Sequence, residues 1–363
     1  MTRVRRFAAS ALLALASIAG TGCDDPIIIV GDLPGIMRQV AGVPNRIGTR
    51  VDTLARNTQL SAPRGIAVAD DGTLYIADTG NGRIVAVRPT GHATLLASAA
   101  GCTDACLVEP HGIAVAPDGA VWIADAGAHR IFRLDPDSRE LEVRAGNGLA
   151  ATSPDFTPAL EASINAPGGI AITDGGIVYF SERDGHVIRW ITSQGTLRTL
   201  AGTGVAGYSE GSPATNAQLD TPAGLAIAAG LLYVADEANH RVREINIGGG
   251  GIRTIAGNGV PAYSETDTIA ASAKLNRPRG VALTDDRARL FIADAFNDRV
   301  RVVHLPTGRI RSFAGMADDA YNGEGHDAGE TALASPSDVA VFGDLLFIAD
   351  TDHQIVWRTP LQF

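Results

Sequence analysis

The 363-residue sequence has few aromatic side chains (5%), with only 10 Phe and 3 Trp against 42 Gly. Glycine-rich turns between short apolar runs exclude a helical architecture and favour an all-β one. No basic excess is present: 30 Lys and Arg stand against 40 Asp and Glu, a net charge of −10, and no local basic cluster stands out. A nucleic-acid partner therefore finds no support in the charge balance, and none is expected. Long hydrophobic runs are missing too, since the apolar stretch from Ala8 to Gly20 is too short to span a bilayer. Cysteine is scarce, with only Cys23, Cys102 and Cys106. The close pair in GCTDAC has no second Cys/His pair nearby, which argues against a zinc site. No Ser-His-Asp or Cys-His signature is evident. What remains is a 45% hydrophobic composition, enough for a large core in two or three domains or one long all-β unit.

The chain opens with MTRVRRF, carrying three arginines, followed by the short Ala/Leu-rich stretch. This is the pattern of an export signal. It ends in GTGC, with Cys23 followed by Asp24 and Asp25. The segment resembles the signal of bacterial lipoproteins, although Gly20 stands where that motif usually has an aliphatic residue. The resemblance implies that residues 1–22 are removed, that Cys23 is lipidated, and that 23–34 form a tether. The protein is then expected in the bacterial cell envelope, extracytoplasmic and lipid-anchored to the membrane. Loss of Arg3, Arg5 and Arg6 leaves 27 basic against 40 acidic residues, a charge near −13. An exported chain sits where disulfides persist, so a Cys102–Cys106 bridge is expected. Closing so small a loop stabilises by only about 2 kcal/mol.

From there on one phrase recurs six times. LSAPRGIAV, VEPHGIAV, INAPGGIAI, LDTPAGLAI, LNRPRGVAL and LASPSDVAV place prolines at Pro63, Pro110, Pro167, Pro222, Pro278 and Pro336. Each is followed by an apolar run with an acidic end, at Asp78, Asp125, Glu182, Asp236, Asp294 and Asp350. A third run follows, then a fourth such as LRTLAG or IRTIAG. A period of 47 to 58 residues with several short strands predicts propeller blades or a solenoid. The sixth unit lacks its fourth run, and GIMRQVAG at 35–42 supplies one near the start. That pairing closes a ring and removes exposed sheet edges. The expected architecture is a six-bladed β-propeller of four-stranded antiparallel blades over 35–363, its last blade completed by an N-terminal strand.

The P-x-G-[IVL]-A-[VIL] opening and the turns ADTGNGRI and ADEANHRV resemble NHL repeats. That resemblance implies the propeller fold but no single activity.

Several columns repeat around the ring. The six acids fit strand-end carboxylates accepting backbone N–H bonds in the next turn. Arg83, Arg130, Arg241 and Arg299 are expected to pair with them. A histidine column, His129, His186, His240 and His353, invites a metal, but the four belong to separate blades and need not converge. Tyr208, Tyr263 and Tyr321 recur in the long linkers, where they contact a partner or pin their loops. The position after each proline, held by Arg64, His111, Gly168, Ala223, Arg279 and Ser337, varies and points toward the channel mouth.

Two classes of function remain. The first is a membrane-anchored scaffold, expected to be a monomer, binding a protein, peptide or glycan through its loop face. Arg64, His111, Arg279, Tyr208, Tyr263 and Tyr321 are its candidate contacts; no catalytic residue, metal or cofactor is assigned. The second is a hydrolase or lyase at the channel mouth. Blade two resembles a blade of the peptidyl-hydroxyglycine amidating lyases, whose zinc is held by three histidines. The matching positions are His111, Ala223 and Ser337, so two ligands are missing where catalytic zinc wants three. A gluconolactonase-like calcium site needs converging carboxylates, and Asp338 is the one acid near the strand entrances.

Overall fold

A computed structural model of the protein describes residues 35–99, 106–264, 268–316 and 318–361. The leader, Cys23, the tether and Cys102 lie outside the described residues.

The repeated apolar runs form strands because their β-branched and aromatic side chains suit a pleated, buried surface. Blade one consists of Pro63–Val68, Leu74–Asp78, Arg83–Val87 and Ala93–Ser98, in that spatial order. The second strand is buried along its whole length, whereas the outer strand is only half-buried. Blades two to four repeat this order. Blade five gains a short edge strand, Thr268–Ile269, where its incoming linker runs back along Arg309 and Ile310.

Blade six is completed as expected. Its order is Arg38–Gly42, Ile355–Pro360, Leu345–Asp350, Pro336–Phe342. The N-terminal strand pairs antiparallel with Ile355–Pro360, and Gln39 lies opposite Trp357. Trp357 is fully buried. The fold is thus a six-bladed propeller, with short 3₁₀ turns as the sole helical elements among the described residues.

Two packing systems hold the disc together. Outside the channel, six apolar clusters each lie between two neighbouring blades, one per interface. Around the channel the first strands touch one another, and the circle closes where Pro63–Val68 meets Pro336–Phe342. This approach is so close that the glycine two residues after each of the first five prolines has no room for a side chain. A Cβ on Gly65, Gly112, Gly169 or Gly224 would strike the carbonyl oxygen of His111, Gly168, Ala223 or Arg279 on the next blade.

The Ala-x-x-Ala-x-Leu tails of two linkers each make one tight turn, Ala214–Asn216 and Ala270–Ser272. The alanines and leucines of those tails are buried (Ala214, Ala217 and Leu219; Ala270, Ala273 and Leu275) and join the inter-blade clusters.

Gly169→Ala should therefore lower stability by about 1–3 kcal/mol, because a backbone carbonyl on another blade must move. Gly329→Ala, whose Cβ meets nothing within 4 Å, should stay within about 0.5 kcal/mol. Thermal melts of the two variants check the difference.

Candidate functional site

The acidic column is structural. One carboxylate oxygen in each blade accepts a backbone N–H from the segment entering that blade: Ser61 to Asp78 (2.6 Å), Glu109 to Asp125 (2.9 Å), Asn165 to Glu182 (3.1 Å). The series continues with Asp220 to Asp236, Asn276 to Asp294 and Ala334 to Asp350, at 2.7 to 2.8 Å. Burial raises the pKa of all six acids, that of Asp294 to about 6, while these bonds pull the other way.

Their arginine partners differ from expectation. Arg83 does pair with Asp78, at 2.5 Å. Arg130, Arg241 and Arg299 instead donate to the backbone oxygens of Asn147, Asn258 and Asn297. The residues two further on take the acids: Arg243 to Asp236 at 3.0 Å, Arg301 to Asp294 at 3.4 Å, and Arg189 to Glu182 at 3.6 Å. Residues i and i+2 share one face of a strand, so either can reach the same carboxylate. In blade six the indole N–H of Trp357 donates to Asp350 at 2.8 Å.

The histidine column is a set of inter-blade staples. His129, His186 and His240 occupy a left-handed turn position (φ 53 to 54°) shared with Gly82, Asp298 and Gln354. Their Nδ1 atoms accept from the backbone N–H of Ala166, Thr221 and Arg277, the residues just before the next blade's proline. Asp298 does the same for Ser335 and Gln354 for Ala62. His353 therefore lies one residue outside this column. It stands where Asn81, Asn239 and Asn297 stand in other blades and, like them, bonds the acid, with Nδ1 2.8 Å from Asp350. Among the described residues no group of three or more His, Cys, Asp or Glu is placed to hold a metal.

The tyrosines lie on the linkers, and none of the three lines the cavity at the channel mouth. Tyr208 sits under Arg241 and Arg243, with the guanidinium carbons 3.8 and 4.9 Å from its ring centre. Tyr263 meets Arg299 and Arg301 in the same way, at 4.1 and 5.1 Å. Tyr321 packs on His353 and Trp357.

Arg64, His111 and Arg279 do converge, on a cavity of about 100 Å³ at the channel mouth. Two residues that sequence reasoning missed join them. Arg183 lines the cavity, and its guanidinium is 2.7 Å from Glu237, which is 1% exposed and also lies 3.4 Å from Arg279. Both follow the column acid directly, where the other blades carry Thr79, Ala126, Ala295 and Thr351. Charge in a column otherwise small and uncharged was the available signal.

The electrostatics are one-sided. Three guanidinium groups are set against two carboxyls, Glu237 on Arg183 and Arg279 and Asp338 in the cavity wall. Burial, followed by the charges of Arg279 and Arg183, lowers the pKa of Arg64. Burial and then the charges of Arg64, Arg183 and Arg279 lower His111 to about 3, so its imidazole is neutral at ordinary pH. Asp338 stands where the other five blades have glycine. Its Oδ2 accepts the N–H of Ile66 at 3.0 Å, and burial raises its pKa to about 7. With Ser337 Oγ donating to the Arg64 carbonyl at 2.8 Å, it ties the last blade to the first.

The geometry defines a closed propeller with a basic mouth on an acidic chain. The NHL repeat family model matches residues 60–86, 107–134 and 219–245, so the propeller carries NHL repeats in three places. Human NHL repeat-containing protein 2 is 28% identical over 175 residues, 45% of this chain but only 24% of that protein. An auxiliary nutrient binding protein from Bacteroides thetaiotaomicron has a TM-score of 0.66 at 12% identity, covering 89% of this chain and 75% of that one. A gluconolactonase from Xanthomonas campestris has a TM-score of 0.57 at 16% identity, covering 92% and 99%. At such identities the likeness is one of fold.

His111 binds a proton less readily in the folded chain than its ordinary 6.5, so its stabilising effect is complete above 6.5 and is lost as pH falls toward about 3. His111→Gln should flatten the stability–pH curve across that window. Urea unfolding of both proteins at several pH values measures it.

Proposed function

We propose that this chain is an extracytoplasmic binding protein, lipid-anchored through Cys23 in a bacterial envelope. Its mouth face would hold a glycan, peptide or protein. The carrying observation is the half-buried mouth, where Arg64, Arg183 and Arg279 outnumber Glu237 and Asp338 and the Arg64 guanidinium has no hydrogen-bond or ion-pair partner among the described residues. Leaving a desolvated cation unpaired costs stability, and an anionic ligand offsets that cost. Binding sites sit on loops held by rigid frames, and a closed propeller is such a frame. The nutrient-binding neighbour is consistent with this role.

The leader residues and GTGC support the anchor, with residues 23–34 as tether. We also propose a Cys102–Cys106 bridge in the linker before blade two. That joint is the one whose staple position is glycine, Gly82, with no side-chain acceptor to offer. A hydrolase or lyase at the same mouth is the second reading. It is favoured by the neutral His111 imidazole and the raised Asp338 carboxyl, which line one cavity.

Two measurements test the proposal. Wild-type protein immobilised against an array of envelope oligosaccharides and peptides should retain at least one class, and the Arg64→Gln/Arg279→Gln variant should release it. Retention unchanged by the double substitution removes the mouth from the binding face. Expressed in a bacterium, the wild type should fractionate with membranes and Cys23→Ser should not; membrane association of Cys23→Ser would overturn the anchor.

A further inference from the structure

The channel mouth is selective as well as basic. Besides Ser337 and Asp338, which bond the backbone of the first blade, its polar groups are of two kinds. The guanidinium groups only donate, in a planar fork that matches a carboxylate. Arg183 and Arg279 are partly engaged by Glu237, at 2.7 and 3.4 Å, which leaves the Arg64 fork free. His111 is held neutral beside them, so it offers one donor and one acceptor nitrogen. No hydrogen bond engages its ring among the described residues. A free fork next to a free neutral imidazole suits an acid group with a hydroxyl close to it.

Size and shape limit the ligand further. The cavity holds about 100 Å³, enough for the acidic head of a small molecule. Of the other positions after the prolines, Gly168, Ala223 and Ser337 carry small side chains and line the same cavity. Beside Arg279, the ring of Phe296 is 49% exposed, with the Arg277 and Arg279 guanidinium carbons 5.3 and 5.2 Å from its centre. An apolar shelf next to a charged socket suits the face of a sugar ring.

We propose that the mouth binds a hydroxycarboxylic acid of the sugar-acid class, acid group inward. The carboxylate takes the Arg64 fork with Arg183 and Arg279 behind it. His111 bonds the neighbouring hydroxyl, and Phe296 lies under the part of the ligand that projects. This deepens the binding role proposed above and rests on it.

Isothermal titration of the full mature chain with D-glucuronate tests it, with acetate, D-glucose and inorganic phosphate as comparison probes. Glucuronate should saturate below about 10 mM, more tightly than acetate or phosphate, and glucose should give no binding in that range. Arg64→Gln should weaken glucuronate at least about tenfold, the scale of a charge-assisted bidentate contact. Arg64→Lys keeps the charge but loses the fork and should fall between. His111→Gln should erase the preference for glucuronate over acetate. Thermal melts certify that each variant is folded.

Undiminished affinity in folded Arg64→Gln, tighter binding of phosphate, or no saturation by glucuronate would each overturn the inference. The outcomes separate from those of the wider reading. A glycan or peptide held by the array and unaffected by Arg64→Gln sinks the sugar-acid site and leaves the binding role. Glucuronate binding with an empty array keeps both the binding role and the sugar-acid site and removes the arrayed oligosaccharides and peptides as ligands.

Discussion

Everything in this molecule depends on closing the ring. Six similar sheets stacked side by side leave two raw edges, and an open edge is a template for pairing with other chains. Here the strand Arg38–Gly42 takes the outer place in the last blade, against Ile355–Pro360. The seam is reinforced at the channel, where Asp338 and Ser337 reach the backbone of Ile66 and Arg64 on the first blade. Only with the circle closed do the first strands lie close enough to form one narrow mouth.

Closeness at the centre dictates composition. The glycines after the prolines are fixed by a carbonyl oxygen on the neighbouring blade, not by turn geometry. Asp338 is the one side chain placed in that series, and it is tolerated because it spends one oxygen on the seam. Further out, the blades are joined by polar staples from a left-handed turn residue to the next blade's entry. Histidine, aspartate and glutamine fill this role interchangeably because each presents a short-range acceptor. Repetition of a titratable residue around the ring thus marks architecture.

Individuality lies where the columns break. Arg64, Arg183, Arg279, His111 and Glu237 are the charged or titratable members of columns that are otherwise small. Their convergence gives an acidic protein one concentrated basic spot. Low dielectric strengthens that field, as the depressed proton affinities of His111 and Arg64 record.

Six prolines, six strand-end acids and the spare strand at 35–42 were legible in the sequence, because a repeat announces its own register and a missing fourth run demands a replacement. Arg64, His111 and Arg279 were legible as a variable column beside an invariant one. Arg183 and Glu237 were not, because the turn after the acid had to be built before it was plain that its first residue faces the mouth. The same limit placed His353 in the wrong column and gave the acids Arg130, Arg241 and Arg299, of the expected four only Arg83 pairing as read. Residue type suggested one alignment, while the count from the acid and the alternation of the strand imposed another. Local pattern, with its fixed periods, determined the blades and their number. Which side chains meet across blades was decided by the curvature of the closed ring, since those contacts join residues 31 to 292 apart in the chain.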